Sequence, residues 1–126
     1  MKKIIYTDKA PAPIGPYSQG IMIGDMLFSS GQIAINPDDN SLITSNIEDE
    51  TKMVMENVKA VLDAADMNFT DVVKATIFIT DMNDFVRINT IYGSYFPEDY
   101  APARETVQVA ALPKNVNVEI SVIASK

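Results

Sequence analysis

Three segments, Val72–Thr80, Ala103–Val109 and Val116–Ala124, alternate side-chain character with a period of two. Such a period fits only a strand with two unlike faces. In the last segment Val118, Ile120 and Val122 oppose Asn117, Glu119 and Ser121. In the first, Val73, Ala75, Ile77 and Ile79 oppose Lys74, Thr76, Phe78 and Thr80. In Ala103–Val109, Val107 and Val109 oppose Arg104, Thr106 and Gln108, and Leu112-Pro113-Lys114-Asn115 breaks the chain before the final strand. The expectation is three strands sharing one apolar and one semipolar face, the latter carrying a single arginine, Arg104, and a single glutamate, Glu119.

The remaining segments fill in the layer. Lys2–Tyr6 reads as a short strand, and Ala10–Pro16 as a loop stiffened by three prolines. Ile21–Ile23 and Met26–Ser29 flank Gly24-Asp25 as a hairpin. After a polar loop, Asn36–Ser45, Asn46 is placed to cap a helix of about 18 residues, with Glu48, Asp49 and Glu50 at its positive end. A second helix, starting near Asp81–Asn83 and stopped by Pro97, aligns Phe85, Ile88, Tyr92, Tyr95 and Phe96. The order β-β-β-α-β-α-β-β predicts one α+β domain over residues 1–126, a sheet with two helices on one face. Two helices cover one face only. Phe78 and Ile123 on the other face imply burial by another copy of the chain.

Composition narrows the chemistry. The chain has no histidine and no cysteine. Serine–histidine triads, imidazole zinc sites, thiolate chemistry and disulfides are therefore excluded. A net charge of −7 argues against a phosphate-tracking nucleic-acid surface. No apolar run is long enough to span a membrane, and no basic, apolar leader opens the chain, so a cytoplasmic protein is expected.

Each candidate residue has an ordinary alternative. Arg104 follows Pro102 at a strand start and can be a surface ion-pair partner, but its planar fork also suits a carboxylate. Glu119, between Val118 and Ile120, is either a structural salt bridge or a functional acid. Tyr17 reads as a packing aromatic, Ser30 as a loop hydroxyl and Gly31 as a strand end. Phe85, Tyr92 and Phe96 read as core, and Asp63 and Asp66 as a solvated helix face without further metal ligands. On residues alone, the chain is an oligomeric α+β domain with an Arg/Glu site for a small anion.

Several motifs, spread end to end, carry a resemblance. They are Ala12-Pro-Ile-Gly-Pro-Tyr-Ser18, Ser30-Gly31-Gln32, Phe85 with Asn89 and Tyr92, Ala101-Pro-Ala-Arg104, Leu112-Pro113 and Val118-Glu119-Ile120. Together they resemble the Rid family (reactive intermediate deaminases, also YjgF-like or L-PSP proteins). The resemblance implies a chorismate-mutase-like sandwich and a homotrimer with clefts between subunits. It implies that Arg104 holds a substrate carboxylate and that Glu119 orients or activates water, with Tyr17, Ser30, Gly31 and Asn89 in or beside the cleft. Thr106 stands where many members carry cysteine. It can serve if that position contributes its backbone N–H, and the chain is inactive if a thiol is required.

The implied activity is cofactor-free, metal-free hydrolysis of short enamine/imine acids, such as 2-aminoacrylate (2-iminopropanoate) and 2-iminobutanoate, to 2-keto acids and ammonia. The alternatives are a non-catalytic trimeric sensor of 2-keto acids or similar carboxylates and, against the acidic charge, a ribonuclease or translation inhibitor.

Overall fold

A computed structural model describes residues 1–126. Six strands form one sheet: β1 (Lys2–Ile5), β2 (Gly20–Ile23), β3 (Met26–Ser29), β4 (Val72–Ile79), β5 (Ala103–Gln108) and β6 (Val118–Ser125). Their spatial order is β1-β2-β3-β6-β4-β5, and only the β4–β5 pair is parallel. Helices α1 (Ile47–Ala64) and α2 (Phe85–Gly93) pack against each other over one face of the sheet. The α+β sandwich expected from the pattern is the fold found.

Local chemistry accounts for the elements. Asn46 caps α1 by accepting from the Asp49 N–H at 2.8 Å, and its side-chain amide donates to Asp49 Oδ2 at 2.9 Å. Gly24, at φ 56°, closes the β2–β3 hairpin in the left-handed region. Val54, Val58, Val61 and Leu62 from α1 meet Leu27, Ala75, Ile77, Ile79, Val118, Ile120 and Val122 in one buried core. No helix is long and apolar enough to cross a membrane.

The sequence pattern misplaced three features. First, β5 presents its other face. The register pairs Ala75 with Arg104 and Ile77 with Thr106, so Arg104, Thr106 and Gln108 share the helix side. Val107 pairs with Phe78 on the open side and is 42% exposed. Alternation defines two faces without saying which is inward. At an edge strand, where the core thins out, the inward side need not be apolar.

Second, an irregularity between Val72 and Lys74 shifts the β4–β6 register. Val72 takes the buried position and Val73 is turned out. Third, α2 is reached through a 3₁₀ turn, Met82–Asp84, and ends at Gly93, before Pro97 is met. Tyr95 and Phe96 lie beyond the helix and pack their rings 5.3 Å from that of Phe69. Glu48, Asp49 and Glu50 do occupy the first turn of α1, and of these Glu50 turns inward. It is fully buried, and its carboxylate accepts from the Asn117 N–H (2.6 Å), the Asn117 amide (2.8 Å) and the Val118 N–H (3.1 Å).

Candidate active site

Arg104 is presented by the edge strand β5 toward α2. Its guanidinium carbon lies 5.1 Å from the Tyr92 ring centre and 5.6 Å from that of Phe85. Its Nη1 donates to Asn89 Oδ1 at 2.6 Å. Phe85, Asn89 and Tyr92 fall on one helix stripe at spacings of four and three, which is why all three reach one cation. Arg104 makes no ion pair in the chain; the arginine that does is Arg87, with Glu48 and Asp84. A cation with aromatic and amide neighbours but no acid keeps its Nε and Nη2 donors for an external carboxylate.

The surroundings of Arg104 hold two buried hydroxyls without partners, Tyr92 OH and Thr106 Oγ1. Burial pushes the Tyr92 phenol up to about 12, with Arg104 opposing that rise, so the phenol is neutral at physiological pH. Thr106 sits two residues beyond Arg104 on the same face.

Glu119 belongs to the other face. It pairs with Phe78 across β6–β4, and Phe78 in turn pairs with Val107. A two-way bridge, Gln32 N–H to Ile120 carbonyl (2.8 Å) and Ile120 N–H to Gln32 carbonyl (3.1 Å), brings Gly31 beside the Glu119 side chain. A Cβ on Gly31 would lie 2.5 Å from Glu119 Oε2 and 2.9 Å from its Cγ. Only glycine leaves that carboxylate its place. Burial pushes the Glu119 carboxyl above its usual range, and none of the chain's ion pairs involves it. The structural salt bridge offered as its alternative role is thus not made within the chain.

Around Glu119 lies a cleft of about 500 Å³ walled by Tyr17, Ser30, Gly31, Lys114 and the proline-rich loop Pro11–Ile14. The loop is held by Gln19, a buried amide that accepts from Thr7 N–H (2.7 Å) and donates to the Thr7, Ala10 and Pro11 carbonyls. Gln32, also buried, donates to Ser30 Oγ at 3.3 Å, and Ser30 Oγ donates to the Gln19 carbonyl at 3.2 Å. The Gly31 N–H makes no bond within the chain. Opposite stands the turn Pro113–Asn115, where Lys114 and Asn115 both have φ of 56°. Glu50 braces the chain just past that turn. Another cleft, of about 540 Å³ among Asp8, Asn36, Asp38 and Glu56, has Lys9 among its acids and no reactive constellation.

The expected site residues thus fall into two groups. Tyr17, Ser30, Gly31 and Glu119 line one cleft, while Asn89, Arg104 and Thr106 gather on the opposite face. Sequence reading did not single out Gln19 or Glu50. Glu50 carried a signal nonetheless. It lies three residues after Ile47 and four before Val54, on the apolar stripe of α1, where an acid survives only with partners.

The sheet with paired helices on one face is the fold of solved members of one family. The chain matches the endoribonuclease L-PSP family model over residues 7–126 and belongs to that family, the YjgF-like or Rid proteins. A RutC family protein of Saccharolobus solfataricus is 51% identical over 126 residues, covering 100% of this chain and 99% of the relative. TdcF of Escherichia coli, provisionally named a reactive intermediate deaminase, is 48% identical over 98% of this chain and 97% of its own. The crystal structure of TdcF with bound serine superposes with a TM-score of 0.93, at 44% identity over 98% of each chain. That of a Thermotoga maritima protein gives 0.97, at 50% identity over 100% of this chain and 98% of the other.

Proposed function

We propose that the protein hydrolyses short enamine/imine acids, 2-iminopropanoate (from 2-aminoacrylate) and 2-iminobutanoate, to 2-keto acids and ammonia, in clefts between the subunits of a cytoplasmic homotrimer. The observation that carries this reading is the pair of unmatched charges. Arg104 has donors but no acid, and Glu119 is a half-buried carboxylate in no ion pair, with Lys114 across the same cleft.

Within one chain the sheet separates them. A second copy laid on the open face, where Phe28 and Val107 are exposed and Phe78 and Ile123 half-buried, can bring its Arg104 edge to the Glu119 cleft. The guanidinium then holds the substrate carboxylate, and N–H groups at Gly31 and Thr106 restrain the rest. Glu119, whose raised pKa makes it a better base than an exposed carboxylate, takes a proton as water adds to the imine carbon. Returned to the nitrogen, that proton completes the carbinolamine R–C(OH)(NH₂)–COO⁻; its hydroxyl proton then passes to nitrogen as the C–N bond breaks, leaving the keto C=O and releasing ammonia. The atoms balance as R–C(=NH)–COO⁻ plus H₂O giving R–CO–COO⁻ plus NH₃. No group on this route needs a cofactor, and Thr106 contributes its backbone N–H, so the absent thiol is no obstacle. Imines of this kind hydrolyse readily in water, so positioning and modest charge stabilisation are what the site must supply. The serine held by TdcF, a small amino acid, fits a site of this kind.

The test is release of ammonia or keto acid when a threonine dehydratase supplies the imine. Faster release than the spontaneous rate supports the reading. Tight 2-keto acid binding with no acceleration would instead make the protein a carboxylate sensor. RNA cleavage is disfavoured by the net charge of −7.

A further inference from the structure

We propose that Phe85 and Tyr92 are positioning residues for Arg104, forming an aromatic cradle that fixes the plane in which its guanidinium meets a carboxylate. The proposal deepens the deaminase reading and takes from it only the assignment of Arg104 to the substrate carboxylate.

The geometry lies along α2. Residues seven apart on a helix are separated by about 10.5 Å along its axis. The distances from the guanidinium carbon to the Tyr92 and Phe85 ring centres, 5.1 and 5.6 Å, together span a comparable length. The cation therefore meets both rings rather than one. Asn89, on the intervening turn, takes Nη1 at 2.6 Å. Neither Nε nor Nη2 has a partner within the chain, which leaves that edge of the fork for a bidentate ligand. A long side chain on an exposed edge strand would otherwise sample many rotamers, and an aromatic cradle removes much of that freedom at little desolvation cost.

The two rings differ in burial. Tyr92 is 5% exposed, while Phe85 is half-buried at the core margin. The Tyr92 hydroxyl finds no partner, so the ring and not the phenol oxygen is what Arg104 uses. This separates a cradle from a hydrogen-bonding role. Tyr92→Phe keeps the face that Arg104 meets, whereas Tyr92→Leu and Phe85→Leu keep apolar bulk and remove it.

The experiment exploits the fact that Arg87 and Arg104 are the chain's only arginines. The arginine Nε–H region of a ¹⁵N–¹H spectrum then holds two signals, assignable with Arg87→Lys. Wild-type protein should show Arg104 displaced by the ring currents. Phe85→Leu and Tyr92→Leu should return it toward the position of a solvated arginine, and Tyr92→Phe should leave it in place. In the dehydratase-coupled assay the two leucine variants should raise KM about tenfold with kcat within about threefold, and Tyr92→Phe should restore wild-type KM. An Arg104 signal unmoved in a folded Phe85→Leu protein overturns the proposal, as does a loss confined to kcat. Should Tyr92→Leu fail to fold, Phe85→Leu at the core margin decides alone. Because the spectrum needs no turnover, wild-type protein that accelerates nothing defeats the deaminase reading while the cradle is still judged on the Arg104 signal.

Discussion

Arg104 and Glu119 stand on opposite faces of a single sheet. The parallel β4–β5 register aligns Arg104 with buried Ala75, and the antiparallel β4–β6 register aligns Glu119 with Phe78, which points the other way. Any chemistry that uses both must take one from each of two chains.

Mixing inactive variants tests that requirement. In a ring of heterologous interfaces, each cleft would take Arg104 from one subunit and Glu119 from its neighbour. Arg104→Ala and Glu119→Gln proteins, each well below wild-type activity, should regain activity when unfolded and refolded together. Random assembly pairs an intact arginine with an intact glutamate in about a quarter of clefts, so recovery should approach that fraction of wild type. Light scattering should report a trimer throughout. No recovery in a mixed trimer, or a monomer at micromolar concentration, would defeat the shared cleft.

Helix α1 and the hairpin were legible because cap, turn glycine and apolar stripe agree at Asn46, Gly24 and Val54–Leu62. The facing of β5 was not, because a six-residue edge strand with Arg104, Thr106 and Gln108 alternating against Val107 resembles an amphipathic strand whichever way it faces. Only pairing with β4 decides it. The motif residues pointed to both half-sites, but period-two arithmetic placed them on one face, and a parallel register lies beyond what alternation encodes. Glu50 and Gln19 were overlooked because their partners, Asn117 and the Thr7–Pro11 carbonyls, are distant in sequence or hidden in a loop without periodicity.

Replacing Arg104 should separate charge from geometry. Arg104→Ala removes a charge-assisted bidentate contact worth about 2–5 kcal/mol to a bound carboxylate, so kcat/KM should fall by two to three orders of magnitude. Arg104→Lys should recover little, since an ammonium can neither span the cradle nor reproduce the fork. Assembly measured by light scattering should be unchanged in both. Full activity in the lysine protein would show that charge alone matters.

Gly31→Ala probes the close approach to Glu119. The new Cβ would fall 2.5–2.9 Å from three atoms of that side chain, which must swing aside. Overpacking of this kind costs about 1–3 kcal/mol, at the low end here because a carboxylate can rotate. Activity should fall much further than thermal stability. A Gly31→Ala protein with wild-type turnover would show that Glu119 need not stand where it does.

Glu50 should matter to stability through its three hydrogen bonds. Glu50→Leu leaves the Asn117 N–H, the Asn117 amide and the Val118 N–H without acceptors, a loss of about 3–5 kcal/mol in chemical denaturation. Glu50→Gln keeps one oxygen, and an amide flip of Asn117 can offer another acceptor, so its cost should be well under half of that. Equal losses in the two variants would show that the carboxylate charge, and not the acceptor count, secures the start of β6.

Glu119→Gln brings stability and catalysis into opposition. Burial holds the folded-state carboxyl above its unfolded value, so the native protein binds the proton more tightly than the unfolded chain. Stability then declines as pH rises from the unfolded pKa, about 4.3, through the higher folded one. At neutral pH the ionised carboxylate is a burden on folding; below pH 4 it is neutral in both states and the burden is gone. Glu119→Gln, which cannot ionise, should therefore melt above wild type at pH 7 and alongside it near pH 4. A structural ion pair would give the reverse, a variant that melts early at pH 7. The proposed base demands a catalytic loss from the same substitution: binding of 2-keto acids retained, and imine hydrolysis reduced by about 10²-fold or less, at the lower end of general-base effects because the uncatalysed reaction is fast. The wild-type kcat/KM profile should lose its acid limb at a pH above the ordinary carboxylate range, and the glutamine variant should lack that limb. Wild-type turnover per folded subunit in a protein that melts early would assign Glu119 to structure and remove it from the mechanism.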